Sequence, residues 1–267
     1  MFKTYEFIFA GMPSSMYGLM VYDFSGNSHS DNPFGNKAEI IETRIPGRVR
    51  PLHYGVNYNE EPLSFKLVFG SDRELDRWDM QEIAQWLTGY QQYQWLQIEQ
   101  PDLAHVEFRC LITELKPISI GWVPYAFEAE VTCDCPYAYG HLFEYSKTVS
   151  DNDEICILND STARQCIWPE LEIGLREDVT EFSITNECDL NYGGEPRVFS
   201  IKGIPTGGAT VYVNNENNII RDVTYGTNLY DGFNDHFFRL VPCDNILKIK
   251  GTGNLKITGR FIYNVGA

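Results

Sequence analysis

The chain has 267 residues, with 37 acidic against 21 basic side chains and a formal charge of −16. A chain of this length buries a sizeable core without disulfides or metals, so stability requires no cofactor. The charge argues against a nucleic-acid-binding surface, which needs clustered Lys and Arg to displace phosphate counterions.

In chain order, Tyr5 to Gly11 reads as a first strand and Leu19 to Phe24 as a second, with Pro13-Ser14-Ser15 turning between them. Gly26 to Asn36 is a loop of Gly, Asn, Ser, Asp and Pro in which Phe34 is the only large apolar residue. Ile40, Ile41 and Ile45 resume the strands, and Arg44, Arg48 and Arg50 form the one compact basic patch. Exposed arginines most often pair with nearby acids. The sharper alternative is a contact between proteins, where Arg is favoured.

The stretch from Pro62 to Leu103 organises the first half as strand, helix and strand. Leu63, Phe65, Leu67 and Phe69 alternate with Ser64, Lys66 and Val68, the period of a strand with one face in a core. Gly70 breaks that run, and Ser71 with Glu74 has the spacing of a capping box at a helix start. Leu75, Trp78, Ile83, Trp86, Leu87 and Tyr90 then recur at helical spacing, and Gly89 can supply a left-handed terminator. Tyr93, Trp95, Leu96 and Ile98 return to strand composition. Val106 to Leu115 and Val123 to Cys133 follow as neighbouring strands joined through Pro117 and Gly121-Trp122. The Pro and Gly of the segment Asp134 to Gly140 place a domain boundary near Gly140, dividing 1–140 from 141–267.

The second half has no convincing helical run. Its candidate strands are Leu142 to Val149, Leu171 to Leu175, Glu181 to Thr185, Val198 to Ile201, Thr210 to Val213, Ile219 to Thr224, Phe237 to Val241, Ile246 to Ile249 and Leu255 to Tyr263. Many short strands with regular Asn- and Gly-rich turns predict a β-sandwich.

Signals for chemistry are weak. No phosphate-binding glycine loop, Gly-x-Ser-x-Gly elbow or His-Glu-x-x-His pattern occurs. Cys133-Asp134-Cys135 lacks the second half that a structural zinc site needs, although Cys110 or His141 could complete one in space. Asp231, Asp235 and His236 are explained by turn chemistry as well as by acid–base work. Seven cysteines without regular spacing suggest reduced, mostly buried thiols. No apolar run spans a bilayer and the start lacks a signal-peptide core, which predicts synthesis in the cytosol. Tyr192, Tyr212, Tyr225 and Tyr230 are available to bind sugar on a sandwich surface, but most strand aromatics are core or cross-strand partners.

An ordered set of segments adds to this reading. Phe7 to Gly11, Pro62 to Phe69, Trp86-Leu87, Gln100 to Leu103 and Cys133 to Ala138 resemble the N-terminal domain of the distal tail protein family of long-tailed phages infecting Gram-positive bacteria. Leu171 to Ile173, Phe182 to Asn186, Asn228 to Asn234, Phe238 to Leu240 and Asn245 to Gly251 are similar to that family's C-terminal domain. The resemblance implies a mainly β protein: an N-terminal β-sandwich-like domain with one packed α-helix, then a C-terminal galectin-like β-sandwich.

The resemblance also implies a structural virion protein of the phage tail tip, without catalytic, cofactor-binding or metal residues. Its expected partners are five further copies in a homohexameric ring, the tail tube protein, the tail-tip hub and a receptor-binding protein. DNA passes through the ring without specific binding, and no membrane is engaged. An acidic bore suits that passage. A closed ring needs two different patches on each subunit; the candidates are the Gly26 to Asn36 loop with Phe34, and Arg44 to Tyr58 with Arg44, Arg48 and Arg50. The alternative is a carbohydrate-binding module for host cell-wall polysaccharide, and a wall hydrolase ranks third.

Overall fold

The computed structural model describes residues 5–25, 38–58, 61–101 and 103–265. They form two compact units, one of Met1–Tyr139 with Tyr263–Ala267 and the other of Gly140–Ile262.

The first unit contains β1 (Phe7–Phe9), β2 (Met12–Pro13), β3 (Leu19–Ser25), β4 (Ala38–Thr43), β5 (Leu52–Tyr58), β6 (Ser64–Ser71), helix α1 (Arg77–Thr88), β7 (Gln94–Ile98), β8 (Val106–Ile120) and β9 (Val123–Cys133). Antiparallel pairing runs β3-β6-β9-β8-β7-β1-β2. A bridge from Tyr5 to Val21 joins the β1 side back to β3, so the sheet closes on itself and protects its edges. Alternate residues point inward, which puts Phe65, Leu67 and Phe69 of β6 with Phe127, Ala129 and Val131 of β9 in one core. Tyr263 and Val265 pack against the same core.

Helix α1 seals this core through Ile83, Trp86 and Leu87. The Trp86 ring stacks on Phe7 at 5.7 Å and on Tyr17 at 4.9 Å, and its indole N–H donates to the Phe9 carbonyl at 3.2 Å. One side chain thus ties the helix to the first strand. The helix begins later than the Ser71–Glu74 spacing predicts. Its capping box is Asp76 with Asp79, and the Arg73 guanidinium, at 2.7 and 2.8 Å, holds the Asp79 carboxyl below its ordinary pKa together with the Asp76 backbone N–H. Ser71 instead ends β6, its hydroxyl accepting from the Arg73 N–H. Starting the helix at Arg77 leaves Leu75 buried ahead of it and Trp78 73% exposed on its outer face. Gly89 ends the helix at φ −76°, not in the left-handed region.

Close approach fixes one glycine. A Cβ on Gly70 would lie 2.6 Å from the Tyr125 carbonyl oxygen and 2.7 Å from the Ala126 Cβ. Gly70→Ala therefore forces β6 and β9 apart and destabilises the first unit by about 1–3 kcal/mol. Denaturant unfolding measures this as a lowered midpoint at unchanged slope.

The second unit contains β10 (Ala138–Val149), β11 (Glu154–Asn159), β12 (Glu170–Leu175), β13 (Glu181–Leu190), β14 (Pro196–Lys202), β15 (Thr210–Asn214), β16 (Ile219–Asp222), β17 (Cys243–Lys250) and β18 (Gly253–Tyr263). One sheet runs β16-β15-β12-β18-β10 and the other β11-β17-β13-β14. The buried alternate residues include Leu171, Ile173, Val211, Val213, Leu255 and Ile257 on the first, and Phe182, Ile184, Phe199, Ile201, Leu247 and Ile249 on the second. The fold is mainly β, a sandwich-like unit with one α-helix followed by a β-sandwich.

Phe237 to Val241, expected as a strand, forms only an isolated bridge between Ile167 and Leu240. Its backbone is satisfied by buried asparagines instead of a neighbouring strand. Asn215 accepts from Phe238 N–H and Asn245 from Val241 N–H, both at 2.8 Å, while the Asn186 and Asn159 side-chain amides donate to the Arg239 and Leu240 carbonyls at 3.3 Å. All four asparagines are buried, and the Asn215 amide also donates to the Pro169 carbonyl. This placement meets the hydrogen-bonding demand of buried backbone without a ladder.

Candidate assembly surfaces

The basic patch lies on a ribbon of its own. Among the described residues, strands β4 and β5 pair only with each other, with Ile40 directly opposite Val56. Between Glu39 and Asn57 no residue is buried. Ile40 is 60% exposed, Val56 40% and Val49 99%, and Ile41, Ile45 and Tyr54 are exposed as well. A lone two-stranded hairpin is marginal in water, because neither face has a layer to pack against. Ile40 and Val56, paired across the strands and both exposed, leave apolar surface open of the kind found at contact sites.

Charge sets the ribbon apart too. From 38 to 58 the sequence has three arginines against two glutamates, a net of +1, in a chain of −16. Arg44 follows β4, and its Nε lies 3.2 Å from the Glu42 carboxylate, the surface pairing that such arginines usually make. Arg48 and Arg50 sit in the loop between the strands, exposed and with no carboxylate partner among the described residues. The structure therefore brings the three arginines to one end of one hairpin. Phe34 and the rest of the Gly26 to Asn36 loop lie outside the described residues.

The other candidate chemistry is absorbed by packing. Cys110 stands directly opposite Cys133 on β8 and β9, both buried. Burial, aided by the Asp134 charge, pushes the Cys110 thiol up to about 12, and burial with the neighbouring Cys110, Cys135 and Asp134 raises Cys133 further. Both thiols are protonated near neutrality. Asp134 pairs with Arg109 at 3.4 Å and accepts from the Tyr139 hydroxyl at 3.3 Å. Among the described residues no group of three or more His, Cys, Asp or Glu is placed to hold a metal ion. The expectation of mostly buried thiols fails for Cys156, Cys188 and Cys243, which are exposed, while Cys135 and Cys166 are half-buried.

In the second unit the tyrosines are largely committed. Tyr225 donates its hydroxyl to the Gly207 carbonyl at 2.9 Å, and Tyr230 donates to Asn218 while accepting from Ile220 N–H. The Arg221 guanidinium lies 5.5 Å from the Tyr212 ring centroid. Tyr192 alone stands fully exposed, on a loop fastened by Asn191 accepting from Gly193 and Glu195 N–H. Asp235 and Asp231 lie in turns around Asn234, which accepts from Ser200 N–H and donates to the Val198 carbonyl.

Two surface features were not legible beforehand. The ribbon's isolation leaves no trace in its strand pattern. Trp122, 98% exposed at the β8–β9 turn, could have been found from an aromatic at a turn position that demands positive φ.

Comparison with known proteins agrees with this architecture. Residues 2–135 match a family described as phage tail protein N-terminal domain, and residues 137–259 one described as phage tail C-terminal domain. No curated protein matches the sequence. The fold is similar to that of the Dit (gp 19.1) protein of phage SPP1, described as a paradigm of hub adsorption apparatus in Gram-positive infecting phages, with TM-score 0.64 and 14% identity over 97% of this chain and 100% of that one. It is also similar to a chain of the phage p2 baseplate in its activated conformation with Sr, with TM-score 0.50 and 12% identity over 96% of this chain and 97% of that one.

Proposed function

The chain belongs to the phage tail protein family, and on that premise we propose that it is the distal tail component: a hexameric ring joining the tail tube to the tail-tip hub and giving host-adsorption proteins a platform on which to dock. The observation that carries this reading is the uncovered β4–β5 ribbon. A hairpin with apolar side chains open on both strands, and with Arg48 and Arg50 lacking a carboxylate partner among the described residues, reaches full stability only against another surface. A second copy of a chain with net charge −16 offers that surface with complementary charge. One copy's ribbon on the next copy's different patch is a head-to-tail contact, which closes into a ring when the rotation permits. Likeness of fold to the SPP1 protein along nearly the whole of this chain and the whole of that one supports the same assignment.

On this reading the partners are the other ring subunits, the tail tube protein, the hub protein and a receptor-binding protein. The role is structural, without catalysis, and the place of action is the virion tail tip after synthesis in the host cytoplasm. Channel-facing carboxylates outnumber channel-facing Lys and Arg, so that DNA passes without being retained. No helix among the described residues is long and apolar enough to cross a membrane. Gold-labelled antibody raised against the chain tests the location. The expected result is decoration confined to the tail end away from the capsid; decoration along the tube, or of no particle, overturns the proposal.

A further inference from the structure

The outer strands of the second unit end their sheets in two different ways. On β14 the outer edge is occupied: the Asn234 side chain accepts from Ser200 N–H and donates to the Val198 carbonyl, and its backbone N–H donates to the Ser200 carbonyl. On β16 the Tyr230 hydroxyl accepts from Ile220 N–H and donates to the Asn218 carbonyl. Cover of this kind keeps a sheet from pairing with other chains. Strand β11 lacks it. Its six residues run in unbroken register with β17 and include no Pro, Lys or bulge. The Ile249 N–H donates to the Asp153 carbonyl at 2.9 Å, which makes Glu154–Lys248 a pair without hydrogen bonds between its own members. By alternation the N–H and C=O groups of Glu154, Cys156 and Leu158 then point away from β17. Among the described residues none of these groups has a hydrogen-bond partner. The three side chains are exposed too, Leu158 by 57%.

We propose that the β11 edge receives an extended segment of a different tail protein as a fifth strand of the four-stranded sheet, a segment apolar at alternate positions and carrying Lys or Arg at its ends. This rests on the tail reading above. A row of alternating free donors and acceptors is satisfied along its length by another extended backbone, and Cys156 and Leu158 set the apolar alternation beside it. Charge sets the ends. Asp153 and Glu154 stand at the start of β11, Asp160 follows its end, and Asp244 lies opposite Leu158 on β17. The nearest lysines of β17 are engaged, Lys248 by Glu187 at 3.0 Å and Lys250 by Glu181 at 3.2 Å. The same charges disfavour a second copy. Antiparallel pairing of β11 with itself about Cys156 sets Asp160 opposite Asn152, between Asp151 and Asp153, at both ends; about Leu158 it sets Asp160 diagonal to Glu154.

The test is residue-resolved hydrogen exchange on the purified, assembled chain and on purified tails. In the chain alone the amides of Glu154, Cys156 and Leu158 exchange within about ten-fold of an unstructured peptide, while those of Ile155 and Ile157, turned toward β17, are slow. In tails the first three slow by at least about 100-fold. Two variants made in the phage separate this contact from general ordering. Cys156→Pro removes one outward donor at a position where an edge strand tolerates Pro, so the ladder to β17 and the solution mass are kept. Leu158→Lys sets a like charge against the basic ends. With either variant, protection at Glu154 returns to that of the chain alone or complete tails fall by at least about 10-fold. Fast exchange at all three amides in tails would overturn the proposal, as would both variants assembling at full yield with protection intact. Protection already present in the chain alone would also overturn it, by making another copy the cover, and would leave the tail reading standing. Failure of the tail reading itself is separately visible, as absent antibody decoration with the unaltered chain.

Discussion

Replacing Arg48 and Arg50 together with Glu shifts the ring toward single chains by at least about 100-fold in the concentration needed for half-assembly. Both side chains are exposed and have no carboxylate partner among the described residues, so no described ion pair is lost when they change. The substitution turns the ribbon from +1 to −3, counted over its three arginines and two glutamates. Against an acidic neighbouring copy, two attractions become two repulsions at every contact of the ring. Arg44→Glu is the internal control. Arg44 already spends part of its charge on Glu42 at 3.2 Å, so its reversal weakens assembly less. Light scattering over a dilution series reads the midpoint for each variant. Equal assembly by the double variant and the unaltered chain would remove the ribbon from the interface.

Trp86→Ala destabilises the first unit by about 3–5 kcal/mol, a large share of the ~5–15 kcal/mol that holds a domain folded. The ring is 4% exposed, it stacks on Phe7 and Tyr17, and its indole donates to the Phe9 carbonyl, so truncation opens a cavity and removes that hydrogen bond. Trp78→Ala on the same helix changes stability by less than about 0.5 kcal/mol, because that ring lies in solvent. Paired urea titrations with near-ultraviolet circular dichroism separate the two.

This pair of tryptophans also shows how far the sequence can be read. The helix itself was legible from the spacing of Ile83, Trp86 and Leu87, but 3.6 residues per turn set Trp78 about 180° from Leu87, off that stripe. The start of the helix was misplaced because two acceptable caps lie close together, and the bidentate Arg73–Asp79 contact favours Asp76 over Ser71. Strands with one clean buried face, such as β6, β9 and β12, were legible because alternation survives in their side chains. Strand β11 was missed because Cys156 and Leu158 put apolar residues on its exposed face as well. Phe237 to Val241 misled in the opposite way, since four distant asparagines supply hydrogen bonds that no local pattern announces.

The assembly surface was half legible. Composition singled out Arg44, Arg48 and Arg50, yet nothing in β4 and β5 announced that these strands have no layer beneath them among the described residues. Alternation looks the same whether the covering layer comes from the same chain or another. Isolation of a ribbon is a tertiary fact, and so is the exposure of Trp122.

The most direct measurement is the solution mass of the purified chain by light scattering over a dilution series, with negative-stain images of the same sample. One chain is 30.6 kDa. The expected result is a species near 184 kDa, about six chains, as closed rings that dissociate on dilution without populated dimers of unlike geometry. A single chain of 30.6 kDa at every concentration, with the ribbon unprotected in hydrogen exchange, would contradict it.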